Sequence, residues 1–267
     1  MKSDLNLLEP LLHIEEKFLE LRQQNKKALT IFLTAGYPKK ESTVPLALLC
    51  AEAGVDILEI GMPFSDPLAD GPVIQECSQQ ALLNGVTLPW IFEQVKDIRH
   101  HTNIPIVLMG YLSPILRYGV DKFFADAHSA GVDGLILPEV PLEEVARFEG
   151  SAKSNAIALI LLVTPTTPSV RVREIDKKTR GFLYCVSATG VTGHSAAEDE
   201  VIKHVSRIKK IAKHPVLVGF GINNAEQAHA ISSVADGIII GSAFLKLVKE
   251  SSMDSVAQWL RGIRAEM

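Results

Sequence analysis

Acidic side chains at the ends of apolar runs are the first candidates for chemistry in this 267-residue sequence. In VDILEIG, residues 55–61, strand alternation puts Val55, Ile57 and Glu59 on one face and Asp56, Leu58 and Ile60 on the other. An acid on an apolar face loses its water, which raises its pKa and keeps a proton ready for donation near neutral pH. The plain alternative for Glu59 is an ion pair with a neighbouring Arg or Lys. The next segment, GMPFSDPLADGPVIQ, brings Asp66 and Asp70 together with Pro63, Pro67 and Pro72. Each proline fixes a backbone angle and lowers the entropy lost on ordering, so this loop can hold an acid over a site. Read plainly, the same composition is a turn loop without chemistry.

A second constellation is glycine-rich. SATGVTG ending at Gly193, GFGINN around Gly221 and GSAF at Gly241–Ser242 each follow an apolar run. Glycine lets backbone N–H groups approach an oxyanion, and a helix starting at Ser242 adds its positive dipole end, so the three segments suit one shared phosphate site. Taken singly, each glycine only serves a turn. The eight His carry no metal-binding motif such as HExxH, and Trp90, Trp259 and the Phe123–Phe124 pair fall in helical patterns that read as packing.

The elements that must position these residues alternate. Short β-branched runs at 29–34, 55–60, 104–109, 132–137, 156–163, 182–186, 215–219 and 237–240 give eight candidate strands separated by amphipathic segments. Most are continuously apolar, as strands covered on both faces must be. A weak repeat, AEAGVD ending at Asp56, HSAGVDG at Gly134 and SSVADG at Gly237, places an Asp at the start of the following strand. In the first two copies it also places a glycine where a helix C-cap needs positive φ. With no linker or composition break, the pattern predicts one α/β domain over 1–267. Its fold would be a single (β/α)8 TIM barrel with an extra N-terminal helix and a short extra helix before the last barrel helix.

Composition narrows the function class. A net charge of -4 with scattered charges gives no basic face for nucleic acid, and 47% hydrophobic residues supply one large core. Cys50, Cys77 and Cys185 form no CxxC pair and lie in apolar runs, so no disulfide is expected. The N-terminal segment mixes charges into its apolar residues like an amphipathic helix rather than a signal, and no run approaches the ~18 apolar residues of a membrane span. A cytoplasmic enzyme of small-molecule metabolism is the expectation.

EIGMPFSDPLADGPVIQ, GFLYCVSATGVTG and the pair GFGI and GSA closely resemble the tryptophan synthase alpha subunit family. The likeness runs from TIFLTAGYP through GYLSPILRYG and LILPEVPLEE to the last glycines. It implies retro-aldol cleavage of indole-3-glycerol phosphate to indole and glyceraldehyde 3-phosphate, with Glu59 and Asp70 as catalytic acids. Tyr184 and Thr192 would border the active site, Phe32 and Met109 would line the indole pocket, and Gly193, Gly221, Gly241 and Ser242 would hold the phosphate. Met109 stands where the family often has Leu, a volume-conserving change. Ala188 and Thr189 stand where some members carry Arg-Ala, and Glu139 where Asp is common. The resemblance also implies an α2β2 complex with a beta subunit that carries pyridoxal phosphate. Pro63, Ser65, Asp66, Pro67, Glu139 and Pro141 would lie at that interface, and neither cofactor nor metal is expected in this chain.

Carbon-carbon cleavage needs somewhere for the bonding electrons to go. No Lys occupies the C-terminal end of a candidate strand and no acid or His cluster has metal spacing, so the expected sink is the substrate's own indole ring once protonated. Glu59 would move that proton, and Asp70 would accept the indole N–H and steady the cation. Two other readings fit part of the sequence: another phosphosugar-handling barrel lyase or isomerase, which explains the glycines but not PFSDPLADGP, and a non-catalytic docking subunit.

Overall fold

The computed structural model describes residues 11–186, 194–219 and 221–267, with backbone alone for 194–198. The chain runs α1 (His13–Gln23), β1 (Ala28–Thr34), α2 (Thr43–Glu52), β2 (Ile57–Gly61), α3 (Pro72–Leu83), α4 (Leu88–Arg99), β3 (Ile106–Met109), α5 (Leu112–Tyr118), α6 (Val120–Ala130) and β4 (Gly134–Ile136). It continues with α7 (Leu142–Ser154), β5 (Ala158–Ile160), β6 (Leu162–Val163), α8 (Ser169–Lys178), β7 (Leu183–Val186), α9 (His194–Lys209), β8 (Val216–Gly219), α10 (Ala225–Val234), β9 (Gly237–Ile240), α11 (Ser242–Glu250) and α12 (Met253–Ala265).

All strand pairs are parallel, in the order β5-β4-β3-β2-β1-β9-β8-β7-β6. The two outer strands of that order are consecutive in the chain. The expected strand over 156–163 is broken only at Leu161, so the sheet closes on itself through one bent segment. Across the break the Leu161 carbonyl still accepts the Tyr184 N–H at 3.0 Å. Nine strands thus occupy the eight positions of a (β/α)8 barrel. The helix at the N-terminus and the one at Ser242 are present as expected; α3 and α5 are two further helices at the strand C-terminal end, within units whose outer helices are α4 and α6.

Alternation sorts the strand residues. Leu29, Ile31, Leu33, Leu58 and Ile60 join the cluster between strands and helices, whereas Ala28, Ile57, Val107, Ile136, Phe182, Leu217 and Ile239 fill the barrel interior. Val55 departs from the expected face: β2 begins only at Ile57, and Val55 packs with the outer cluster. The Phe123–Phe124 pair is fully buried on α6, and Trp90 and Trp259 pack at the edge of the outer core. The three cysteines are buried and unpaired. No described helix is long and apolar enough to cross a membrane.

The lower end of the barrel is plugged by α1. Its Ile14 is fully buried in the interior cluster, Phe18 meets Phe182 edge-on with ring centroids 6.0 Å apart, and Glu15 pairs with Arg180 at 2.9 Å. The repeated Asp explains itself here. Asp56 accepts the Leu29 N–H at 2.8 Å, Asp133 accepts the Ile106 N–H at 2.7 Å, and Asp236 accepts the Val216 N–H at 2.7 Å. Each carboxylate therefore ties the start of its own strand to the start of the preceding one, and each is held by a base: Arg264, Arg99 and Lys209 respectively. Gly54 and Gly131 take φ of +89° and +93°, as the first two copies of the repeat require.

Asp133 also contacts His13 at 2.9 Å, so it joins strand, helix and plug. Asp133→Ala should lower unfolding free energy by about 2–3 kcal/mol in urea titration, because it strands an amide and a guanidinium. Asp66→Ala on the exposed rim should fall within about 0.5 kcal/mol.

Candidate active site

Glu59 occupies the middle of β2, flanked on the same face by Ile57 below and Gly61 at the mouth, with Phe32 of β1 and Val107 of β3 as its register neighbours. Its side chain is 1% exposed, and neither carboxylate oxygen has a hydrogen-bond partner among the described residues. No Arg or Lys among the described residues pairs with it, which speaks against the plain ion-pair reading. Burial without a cation pushes its pKa up to about 8, with the charge of Asp70 adding to the shift. Two other buried hydroxyls lack a partner there, Thr30 and Thr34 of β1, which register beside Ile57 and Gly61.

Asp70 ends the loop that leaves β2. The loop is ordered by its own turns: the Asp70 N–H donates to the Pro67 carbonyl at 3.0 Å, and the Leu68 N–H to the Asp66 backbone carbonyl at 2.9 Å. Gly71 then caps α3, Pro72 takes its first position, and Gln75 reaches back to the Asp70 carbonyl at 2.9 Å. Asp70 is partly buried; desolvation pushes it up to about 6, against a lowering hydrogen bond from the Tyr111 hydroxyl and a raising contribution from the Glu139 charge.

Tyr184 of β7 faces these acids from across the barrel. Its hydroxyl is pushed well above its ordinary range, first by burial and then by the charges of Glu59 and Asp70. A Cβ on Gly219 would come within 2.5 Å of the Tyr184 oxygen, and one on Gly61 within 2.5 Å of the Phe32 ring, so both rings lie directly over glycine backbone. Met109, at the end of β3, registers with Gly61 and bridges the interior cluster to the one holding Phe32. Glu59, Asp70, Phe32, Met109 and Tyr184 thus converge on the strand C-terminal mouth. Gly241 is the N-cap of α11 and Ser242 its first residue; Gly219 ends β8 next to β9, and Gly221 follows it in the open. Thr192 and Gly193, with Ala188 and Thr189, lie outside the described residues. Pro63, Ser65, Asp66 and Pro67 form the outer arm of the acid loop, with Glu139 and Pro141 exposed on the β4–α7 loop. Among the described residues no three His, Cys, Asp or Glu side chains converge as a metal site would.

Sequence reasoning passed over Tyr111, which stacks on Phe64 with centroids 5.3 Å apart and touches the acid loop. The available signal was an aromatic hydroxyl two residues beyond β3, on the same rim as Asp70.

Residues 18–265 match the family model described as "Tryptophan synthase alpha chain". This chain belongs to the tryptophan synthase alpha chain family. The alpha chain of Geotalea uraniireducens is 44% identical over 255 residues, covering 95% of this chain and 96% of that one. That of Petrotoga mobilis is 48% identical over 232 residues, 86% and 90% of the two chains. Among solved structures, the tryptophan synthase subunit alpha of Legionella pneumophila superposes with a TM-score of 0.89 at 31% identity, covering 96% and 98%. A Mycobacterium tuberculosis tryptophan synthase chain does so with 0.89 at 32% identity over the same shares. Membership assigns this chain the lyase reaction on indole-3-glycerol phosphate in tryptophan biosynthesis, and leaves no place for a barrel sharing only the phosphate glycines.

Burial of Glu59 has a thermodynamic consequence. An acid whose folded pKa lies near 8 and whose unfolded pKa is about 4.3 binds more protons when folded, so stability falls as pH rises through that window. Glu59→Gln should abolish this fall and leave the variant more stable than wild type at pH 8, by a few kcal/mol in denaturant titrations. Parallel pH dependences would show that Glu59 ionises freely.

Proposed function

We propose that Glu59 is the proton-transfer acid and Asp70 the electrostatic partner of the retro-aldol cleavage. The observation that carries this is an unpaired carboxyl, held protonated near neutral pH, inside the mouth of the barrel. Glu59 delivers its proton to the indole carbon that bears the glycerol chain, and the ring nitrogen becomes iminium. The hydroxyl on the adjacent chain carbon then loses its proton and its oxygen forms the aldehyde. The carbon-carbon bonding pair flows into the iminium and restores the aromatic ring. The Glu59 carboxylate formed in the first step is able to take that hydroxyl proton, which returns the acid to its starting state. Asp70, ionised above about 6, accepts the indole N–H and stabilises the cation.

Phe32 and Met109 supply the apolar wall for the indole, with Tyr184 opposite. Thr192 borders the site beside Tyr184, and Gly193, Gly221, Gly241 and Ser242 take the phosphate side, where the start of α11 has no side-chain cap. The chemistry asks for no cofactor in this chain, since the substrate is its own electron sink. For the beta subunit, the supporting feature is the rim: Pro63, Ser65, Asp66 and Pro67 next to Leu68, which is 93% exposed, with Glu139 and Pro141 exposed on the β4–α7 loop. We take the partner to be the pyridoxal-phosphate beta chain in an α2β2 assembly in the cytoplasm. The chain itself we take as one domain over 1–267, supported by the single sheet that runs from β1 to β9.

Glu59→Gln should abolish indole release while indole-3-glycerol phosphate still binds; single-turnover cleavage near the wild-type rate would overturn the role. Asp70→Asn should lose at least about a hundredfold in kcat, and an effect confined to KM would remove its electrostatic part. With one acid ionised and the other protonated, kcat/KM should follow a bell between pH limbs near 6 and 8.

A further inference from the structure

We propose that Tyr111 is a positioning residue for Asp70, holding the acid loop against the β3 rim through one hydroxyl that serves two neighbouring groups. The inference rests on the role given to Asp70 above. The Tyr111 oxygen accepts the N–H of Ala69, the residue before Asp70, at 3.0 Å, and the hydroxyl offsets part of the upward push that burial gives the Asp70 carboxyl. Its ring stacks on Phe64 at the other end of the same loop. One side chain thereby grips the loop at both ends, and its hydroxyl favours the ionised form of Asp70.

Tyr111 is itself anchored from the rim. The next residue, Leu112, donates its N–H to Glu139 Oε1 at 2.5 Å, so the exposed β4–α7 loop holds the start of α5. Glu139 acts on Asp70 in the opposite sense to Tyr111, because its negative charge disfavours a second one. The titratable groups coupled to Asp70 are Tyr111 from the β3–α5 loop, Glu139 from the β4–α7 loop, Glu59 from β2 and Tyr184 from β7. Glu139, Leu112 and Tyr111 thus form one chain of contacts from the rim to the acid loop.

The test is a carbon-13 carboxyl titration of the full chain, with the Asp70 signal assigned by its loss in Asp70→Asn. Tyr111→Phe keeps the ring on Phe64 and removes only the hydroxyl; it should raise the Asp70 midpoint by about one pH unit. Glu139→Gln keeps an oxygen for the Leu112 N–H and removes the charge; it should lower the midpoint, and the double variant should fall between the two. A role in packing alone predicts no movement in either direction. An Asp70 midpoint unchanged by Tyr111→Phe overturns the proposal, and an unchanged midpoint in Glu139→Gln overturns its rim half. The acid limb of kcat/KM for indole release should follow the carboxyl midpoints. If the midpoints move and that limb does not, the contact stands and the catalytic role of Asp70 is what fails.

Discussion

Desolvation of the Glu59 carboxyl sets terms that the rest of the barrel has to meet. A carboxyl inside a protein ionises unless it is kept from water and from cations, and both conditions must hold together. β2 supplies the dryness by placing Glu59 one residue inside the mouth, between Phe32 and Val107 in register. The absence of a cation is equally structural: the bases that pair with repeated aspartates, Arg264, Arg99 and Lys209, all sit at the opposite end of the strands. The fold separates the ends of its strands into a charged, cross-tied floor and a mouth where an acid stays neutral.

That separation makes stability and function draw on different residues. Floor carboxylates accept backbone N–H groups from neighbouring strands and pair with a base, so their contacts tie the fold together. The mouth carboxyl has no partner among the described residues and costs stability as soon as it ionises. Rigid closure at the floor, with α1 plugging it, lets the barrel carry an unsatisfied group that a looser scaffold would expose to water. Asp70 meets a different requirement, because it has to be ionised while its neighbour is not. It comes from a loop rather than a strand, remains partly open to solvent, and gains a hydroxyl donor that Glu59 lacks. Two carboxyls that feel each other's charge thus have their pKa values pushed up to about 8 and about 6 by unequal burial and unequal hydrogen bonding.

The sequence by itself determined the alternation of strands and helices, the strand that carries Glu59, the proline-fixed loop that carries Asp70, and the family. These are local properties: apolar runs, turn residues and a motif survive any rearrangement in space. The repeated Asp and the capping glycines were also legible, although their purpose, tying each strand to the previous one, needs both strands present. Only the tertiary structure decided that the stretch over 156–163 bends at Leu161 to close the sheet, because a bend arises from pairing with two different neighbours. It alone decided that no base among the described residues reaches Glu59, since an ion pair is a fact of distance and not of order along the chain. Tyr111 was invisible for the same reason: its hydroxyl matters through groups some forty residues earlier, which only barrel closure brings beside it.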